Sequence, residues 1–333
     1  MRHRSLGLRV GACLLAAALA LCGCGSQSPA PSSSAGSAAA ESGPAAAGSY
    51  TFAWMSDTQY YSASYPYIYD AMTKWLGQNT AAWNIRAVLH TGDVVDDMTQ
   101  TVQWRQARAA MALLDPAVPL CMLAGNNDVN DDTADYTAYL ANFGSGYYTF
   151  RDGAQRQWFQ DGRAQAMLLD VGAQHWLFLA LGYGVGQEAV DWAAGVLKQY
   201  PDRTAVLMTH DYLKDDGTRS KNGKELYKAL VKPFANLRLV LCGHKSEALV
   251  STEALDDNGD GTNDRTVCQM LCDYQNGEKG GSGYLRLMTV DPAAGTLTVR
   301  TYSPYLDQYD YYKPAQYPQK DEFVLDISEW FKK

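Results

Sequence analysis

Five short runs hold the residues that could do chemistry in this chain: Ser56-Asp57-Thr58-Gln59, Thr91-Gly92-Asp93-Val94-Val95-Asp96, Ala124-Gly125-Asn126-Asn127-Asp128, Met208-Thr209-His210-Asp211 and Cys242-Gly243-His244-Lys245-Ser246. Each offers carboxylate, amide oxygen or imidazole, the donor types that bind hard or borderline dications. Asp57, Asp93, Asn126, His210 and His244 make up one such set, with room in the list for a second ion. Taken singly, each run also has a plainer reading. Asp93 and Asp96 would cap a helix starting near Thr99, and Asn126 to Asp128 would form a turn, because Asn and Asp favour both roles. The chemical reading gains from position, since all five runs follow apolar, β-rich segments.

Those segments are residues 51–55, 87–89, 119–123, 176–181, 205–208 and 237–241, each leading into a polar or glycine-bearing turn. Between several of them, residues 67–83, 102–114, 133–143, 188–199 and 224–234 carry apolar residues at helical spacing. The early part therefore reads as β-α-β units. After His244 the pattern turns to strands alone, at 266–274, 284–290, 296–302 and 323–327, which are predicted to complete a second sheet. The expected fold class is α/β, with two facing mixed β-sheets flanked by helices. In open α/β sheets ligands bind beyond the carboxyl ends of the strands, so five loops far apart in sequence can meet in one crevice.

The order of these runs resembles that of the calcineurin-like metallophosphoesterases, whose motifs run DxH, GDxxD, GNH followed by Asp or Glu, a later His, and GHxH. The match extends from Asp57 to Ser246. It implies that family's sandwich of two sheets. Residue by residue, it implies that Asp93 bridges two metals, that Asp57 and the amide oxygen of Gln59 bind the first, and that Asn126, His210 and His244 bind the second. The ions would be Mn, Fe, Zn or Mg, one or two in number. Asn127 and Asp128 would stand at the catalytic position, with the acid orienting its neighbour. The implied reaction is hydrolysis of a phosphomonoester or phosphodiester by metal-activated water, with no covalent intermediate. The alternative is a catalytically impaired metal-binding surface protein that retains the fold.

Three positions depart from the family's pattern: Gln59, Asn127 and Ser246 stand where it has histidine. The first site is thereby left with oxygen donors, which favour magnesium, manganese or calcium, while two imidazoles on the second still suit manganese, zinc or iron. An amide at 127 can donate a hydrogen bond but cannot transfer a proton, a loss of ~10²–10⁴-fold in an assisted step.

Other features bear on cofactors and location. Residues 256–264 place Asp256, Asn258, Asp260 and Asp264 at positions 1, 3, 5 and 9 of a sequence resembling the start of an EF-hand-type calcium loop, but Val267 occupies position 12; the competing reading is a solvated hairpin turn. His90 and His175 read as packing histidines, and Tyr60 and Tyr61 as the tyrosines nearest the metals. The N-terminus has Arg2, Arg4 and Arg9 before an apolar run from Val10 to Leu21, ending in Leu21-Cys22-Gly23-Cys24. This is the pattern of an export signal, and its end resembles the lipobox of bacterial lipoproteins, which implies a lipid anchor on Cys24. The expected organisation is a signal peptide over 1–23, a Ser/Ala/Gly/Pro tether over 24–49 and one domain over 50–333, a monomer exported and held on the outer face of the cell membrane, or in the periplasm of a double-membrane cell. Formal charge is −8, and loss of the three arginines makes it more negative, which disfavours generic nucleic-acid binding. Cys121, Cys242, Cys268 and Cys272 lie in apolar segments and read as core thiols.

Overall fold

A computed structural model describes residues 46–130, 132–148 and 153–331. The expected signal segment, Cys24 and most of the tether lie outside the described residues. In chain order the elements are β1 (Tyr50–Met55), α1 (Gln59–Ala63), α2 (Pro66–Asn79), β2 (Ile85–His90), α3 (Thr101–Met111), β3 (Leu120–Met122), α4 (Thr137–Phe143), β4 (Gln155–Phe159), β5 (Ala164–Val171) and β6 (Gln174–Leu181). There follow α5 (Gly186–Gln199), β7 (Thr204–Thr209), α6 (Lys221–Leu226) running into a π-helical turn at Tyr227–Val231, β8 (Leu237–Cys242), β9 (Ala248–Leu255), β10 (Arg265–Cys272), β11 (Leu285–Asp291), β12 (Thr296–Ser303), β13 (Gln308–Tyr309) and β14 (Glu322–Asp326).

Two seven-stranded sheets result. The first runs β13-β12-β11-β1-β2-β3, with β14 also on β12; the second runs β4-β5-β6-β7-β8-β10-β9. Within the first, β1, β2 and β3 are parallel, and within the second β6, β7, β8 and β10 are parallel, so the carboxyl ends within each set lie together. Every residue of β1 is buried, because both faces are covered. Tyr50, Phe52 and Trp54 enter the core between the sheets, while Ala53 and Met55 join the cluster under α1, α2, α3 and α4. This two-residue alternation explains why the strand reads as one continuous apolar run. Phe52 packs edge-on against Trp176 and Phe178 of the opposite sheet at centroid distances of 5.0 and 5.1 Å. A third cluster lies under α5 and α6 on the outer face of the second sheet.

The architecture is the expected one, two facing mixed sheets with helices outside. The C-terminal third is divided, however, rather than forming the second sheet. Only β9 and β10 add to that sheet, while β11 pairs antiparallel with β1 and brings β12, β13 and β14 with it. Residues 155–171 also supply β4 and β5, which sequence reading passed over; β4 is an edge strand with no fully buried residue. The four cysteines are buried and unbridged. Among the described residues, no helix is long and apolar enough to cross a membrane.

Candidate metal centre

Six strand ends, three from each sheet, meet at one point. Asp57 follows β1 and Asp93 follows β2, and both take left-handed backbone angles, φ 51° and 54°; His244, after β8, does the same at φ 73°. For residues with a Cβ this conformation costs on the order of 1 kcal/mol or more, and such strain gathers at functional sites. Here the loops are tied tightly enough to hold it. The Asp57 amide donates to the Gly92 carbonyl at 3.0 Å, and the Gly243 amide donates to the His210 carbonyl at 3.0 Å. Gly125 and Gly243 admit the carboxylates: a Cβ on the first would overlap Asp93 Oδ1, and on the second Asp57 Oδ2.

The ligand atoms of Asp57, Asp93 and His210 all lie within 4.8 Å of one another, the one such group of three His, Cys, Asp or Glu among the described residues. His210 is fully buried. Its Nδ1 lies 2.8 Å from the Thr91 carbonyl, which can only accept, so Nδ1 carries the proton and Nε2 faces inward. There Nε2 meets Asn126 Oδ1 at 3.0 Å and Asp93 Oδ1 at 3.4 Å. Three lone-pair-bearing atoms directed at each other require a proton or a cation between them. Without an ion the proton supplies it: burial alone would lower the His210 pKa, but Asp93 and Asp57 raise it to about 10. The His244 ring stands 5.0 Å from that of His210, and burial and His210 lower its pKa to about 4.

The opposite side holds oxygen donors. His244 N donates to both oxygens of Asp57, at 3.1 and 3.2 Å, and the Ser56 hydroxyl donates to Oδ2. Gln59 is buried; its Nε2 donates to Gln275 Oε1 and lies 3.4 Å from Asp93 Oδ2, while its Oε1 has no hydrogen-bond partner. Asp273, which follows β10, is buried beside them and accepts from Ser246 Oγ at 3.3 Å and Gln275 Nε2 at 2.9 Å. Burial holds the Asp57 carboxyl well above its usual range, with Asp273 the strongest of its charged neighbours, and burial pushes Asp273 up to about 6. Among the described residues, no lysine or arginine forms a salt bridge with Asp57, Asp93 or Asp273. One imidazolium, that of His210, faces three buried carboxylates, and an excess of buried negative charge and a buried amide oxygen without a donor are both costly. Both needs are met by divalent cations, so the donor set fits them.

The remaining expected residues fall as follows. Asn127 is at the rim, its amide donating to Asp93 Oδ1 at 3.0 Å and its Oδ1 accepting from Asn126 Nδ2 at 3.0 Å. Asp128 does not make the expected contact with the Asn127 side chain. Its carboxylate instead accepts from the amides of Val94, Val95 and Gly125 at 2.8 to 3.1 Å, clamping the loop that holds Asp93 to the loop that holds Asn126. Burial, reinforced by Asp93, raises its pKa to about 7 against those three donors. Neither Asp93 nor Asp96 caps α3, whose first turn has no side-chain cap. His90 is a packing residue, between Thr58 Oγ1 at 2.9 Å and the Gly92 amide at 3.2 Å. His175 is instead at the surface with Asp170. Tyr61 turns into the core, its hydroxyl accepting from Gly283 N. The ring beside the imidazoles belongs to Tyr183, 6.2 Å from His210 and 6.4 Å from His244. Asp256, Asn258, Asp260 and Asp264 are exposed and accept from amides of their own loop, and their carboxylates form no three-ligand group. Sequence reading missed Asp273, Gln275 and Tyr183; the signal for Asp273 and Tyr183 was the rule used for the others, a polar residue just past an apolar strand.

The family profile for calcineurin-like phosphoesterases matches residues 50–247. An uncharacterized Bacillus subtilis (strain 168) protein, YvnB, is 43% identical over 287 residues, 85% of this chain, which spans 22% of the length of that relative. Among solved structures, the purple acid phosphatase PPD1 from yellow lupin (Lupinus luteus) seeds superposes with a TM-score of 0.54 at 13% identity, over 85% of this chain and 55% of that one. GAP50, the anchor in the inner membrane complex of Plasmodium, does so at 0.53 and 12%, over 86% and 90%. These two show a shared fold, and the profile covers more than half of the sequence: the chain belongs to the calcineurin-like phosphoesterases.

Proposed function

We propose that this protein is a cell-surface, metal-dependent phosphoesterase that hydrolyses a phosphomonoester or phosphodiester. The observation that carries the reading is the convergence of Asp57, Asp93 and His210, with Asn126 on His210, at the joined carboxyl ends of two sheets. Asp93 would be shared by two divalent ions, Asn126, His210 and His244 would hold one, and Asp57 and Gln59 the other. Such ions, when bound, supply a water of lowered pKa and neutralise charge on the phosphoryl oxygens. The protein's own part is placement. Thr91 fixes His210 in the tautomer that turns Nε2 inward, and Asp128 locks the two loops that carry Asp93 and Asn126. Asn127 at the rim can donate to a phosphoryl oxygen but has no proton to give a leaving group. The reaction it supports best is therefore on esters whose leaving groups depart unprotonated.

The same residue favours the second reading, a surface protein that binds metal through this fold without turnover. Purified protein incubated with manganese and activated aryl phosphate mono- and diesters separates the two. Metal-dependent release that is lost in Asp93→Asn supports the enzyme, and no release above that variant's rate supports the binder. The location rests on the N-terminal signal and Cys24, so Cys24→Ser is expected to shift the protein from the membrane fraction to the soluble one.

A further inference from the structure

Two of the three histidines missing from the family's pattern, at positions 59 and 246, are replaced by residues that contact one pair of side chains. Ser246 Oγ donates to Asp273 Oδ2, and Gln59 Nε2 donates to Gln275 Oε1. Gln275 in turn donates to Asp273 from both its backbone, at 2.8 Å, and its side-chain nitrogen, at 2.9 Å. This linkage results from topology. β10 lies parallel to β8, with Leu271 opposite Cys242, so residue 273 emerges beside the loop that carries His244 and Ser246. Asp273 is 1% exposed, as buried as Asp57 and Asp93 at 2% each. The amide of Gln59, itself 1% exposed, lies between Gln275 and Asp93 with an oxygen that nothing satisfies.

We propose that Asp273 is a metal ligand of the first site, replacing the imidazoles that positions 59 and 246 do not provide, and that it makes this site an all-oxygen one selective for hard cations. The inference rests on the metal-dependent reading above. Asp273 lies outside the close group of Asp57, Asp93 and His210, so an ion would draw its carboxylate inward; three carboxylates, an amide oxygen and a hydroxyl would then make a donor set suited to magnesium, manganese or calcium, and poorly suited to zinc. Gln275 has a separate part. By receiving Gln59 Nε2 it fixes which way that amide is turned, leaving the oxygen as the free atom.

The test is binding, not turnover. Metal-stripped protein is titrated calorimetrically with manganese, magnesium and zinc, and bound metal is counted by mass spectrometry, for the wild type, Asp273→Asn and Asp273→His. The wild type should take two manganese ions. Asp273→Asn should keep one and bind the second at least ~10³-fold more weakly, beyond the ~10–100-fold that a supporting residue outside the ligand set costs. Asp273→His should turn the first site from magnesium toward zinc. Two ions bound to Asp273→Asn at wild-type affinity would overturn the proposal. So would a wild type that takes only one, or a weakened second site whose preference Asp273→His leaves unchanged, which would make Asp273 a positioning residue for Ser246 and Gln275. If either variant is shown unfolded by circular dichroism, Ser246→His replaces it: with Asp273 as ligand it should add zinc affinity to the first site, and no gain overturns the proposal. A wild type that binds two ions but hydrolyses nothing would defeat the enzymatic reading alone.

Discussion

The two sides of the centre are made from the same kind of element, a loop past the end of a buried parallel strand, yet they offer different donors. Around Asp93 toward β3, β7 and β8 stand an amide oxygen and two imidazoles; toward β1 and β10 stand Asp57, Gln59, Ser246 and Asp273. The scaffold is common to both, including left-handed residues on each side. What differs is the chemistry of the side chains it presents. A fold of this kind fixes where a cation could sit, while the few side chains at the strand ends decide which cation the donors would suit.

The sharpest break in that comparison is at the residue both sides share. Asp93→Asn is expected to remove manganese from both sides and to lower kcat/KM by at least ~10³-fold, read by metal counting and aryl ester turnover. Next, His210→Ala should weaken zinc binding by ~10²-fold while leaving magnesium binding near its wild-type value, as measured by competition with a chromophoric chelator. Equal loss of both metals would show that the sides are not separable. Asn127→His should raise turnover of esters with poor leaving groups by ~10-fold or more, since it restores a group able to transfer a proton. An unchanged rate would mean that residue 127 does not occupy the family's histidine position.

Smaller effects belong to the supports. Gly243→Ala places a methyl group against Asp57 and Ser56 and should cost ~1–3 kcal/mol by urea denaturation, whereas Gly195→Ala, in α5 with nothing within 4 Å, should be neutral or stabilising. The smallest is a pH effect on metal-free protein. His210 titrates near 6.5 when unfolded and about 10 when folded, so its contribution to stability is full below about 6.5 and is lost as pH rises toward 10. Asp57, held well above its usual range, acts in the same direction, and Asp128, raised to about 7, does so only up to about that pH. His90 and His244, lowered to about 3 and 4, have the opposite sign, but their contributions are complete above 6.5. The thermal midpoint in chelator should therefore fall from pH 7 to pH 9, and magnesium should reduce the fall. A rising midpoint would contradict the pairing of His210 with Asp93.

Much of this is legible in the sequence. Residues 51–55, 87–89, 205–208 and 237–241 are apolar enough, and the polar residues after them chemical enough, that strand ends and donors could be read together. What could not be read is pairing at a distance. Nothing local in 284–302 says that these strands lie beside β1 and not in the second sheet, because register is chosen by the whole core. β4 and β9 carry half-exposed polar residues, as sheet edges do, and so lack an apolar signature. Asp273 was missed for a related reason. A lone Asp after Cys272 belongs to no motif, and it becomes chemical only because β10 runs parallel to β8. Asp128 shows the converse: it sits where the family has an acid, but its neighbours turn it into a clamp on three amides.

The central claim is that Asp93 is shared between cations held by loops from both sheets. Anomalous diffraction at the manganese edge, from crystals grown with that ion, tests it most directly. The expected result is a peak bounded by Asp93, Asn126, His210 and His244, with a second on the Asp57 side of the same carboxylate. Crystals of well-ordered protein with no peak at Asp93, or with manganese bound only elsewhere, would contradict it.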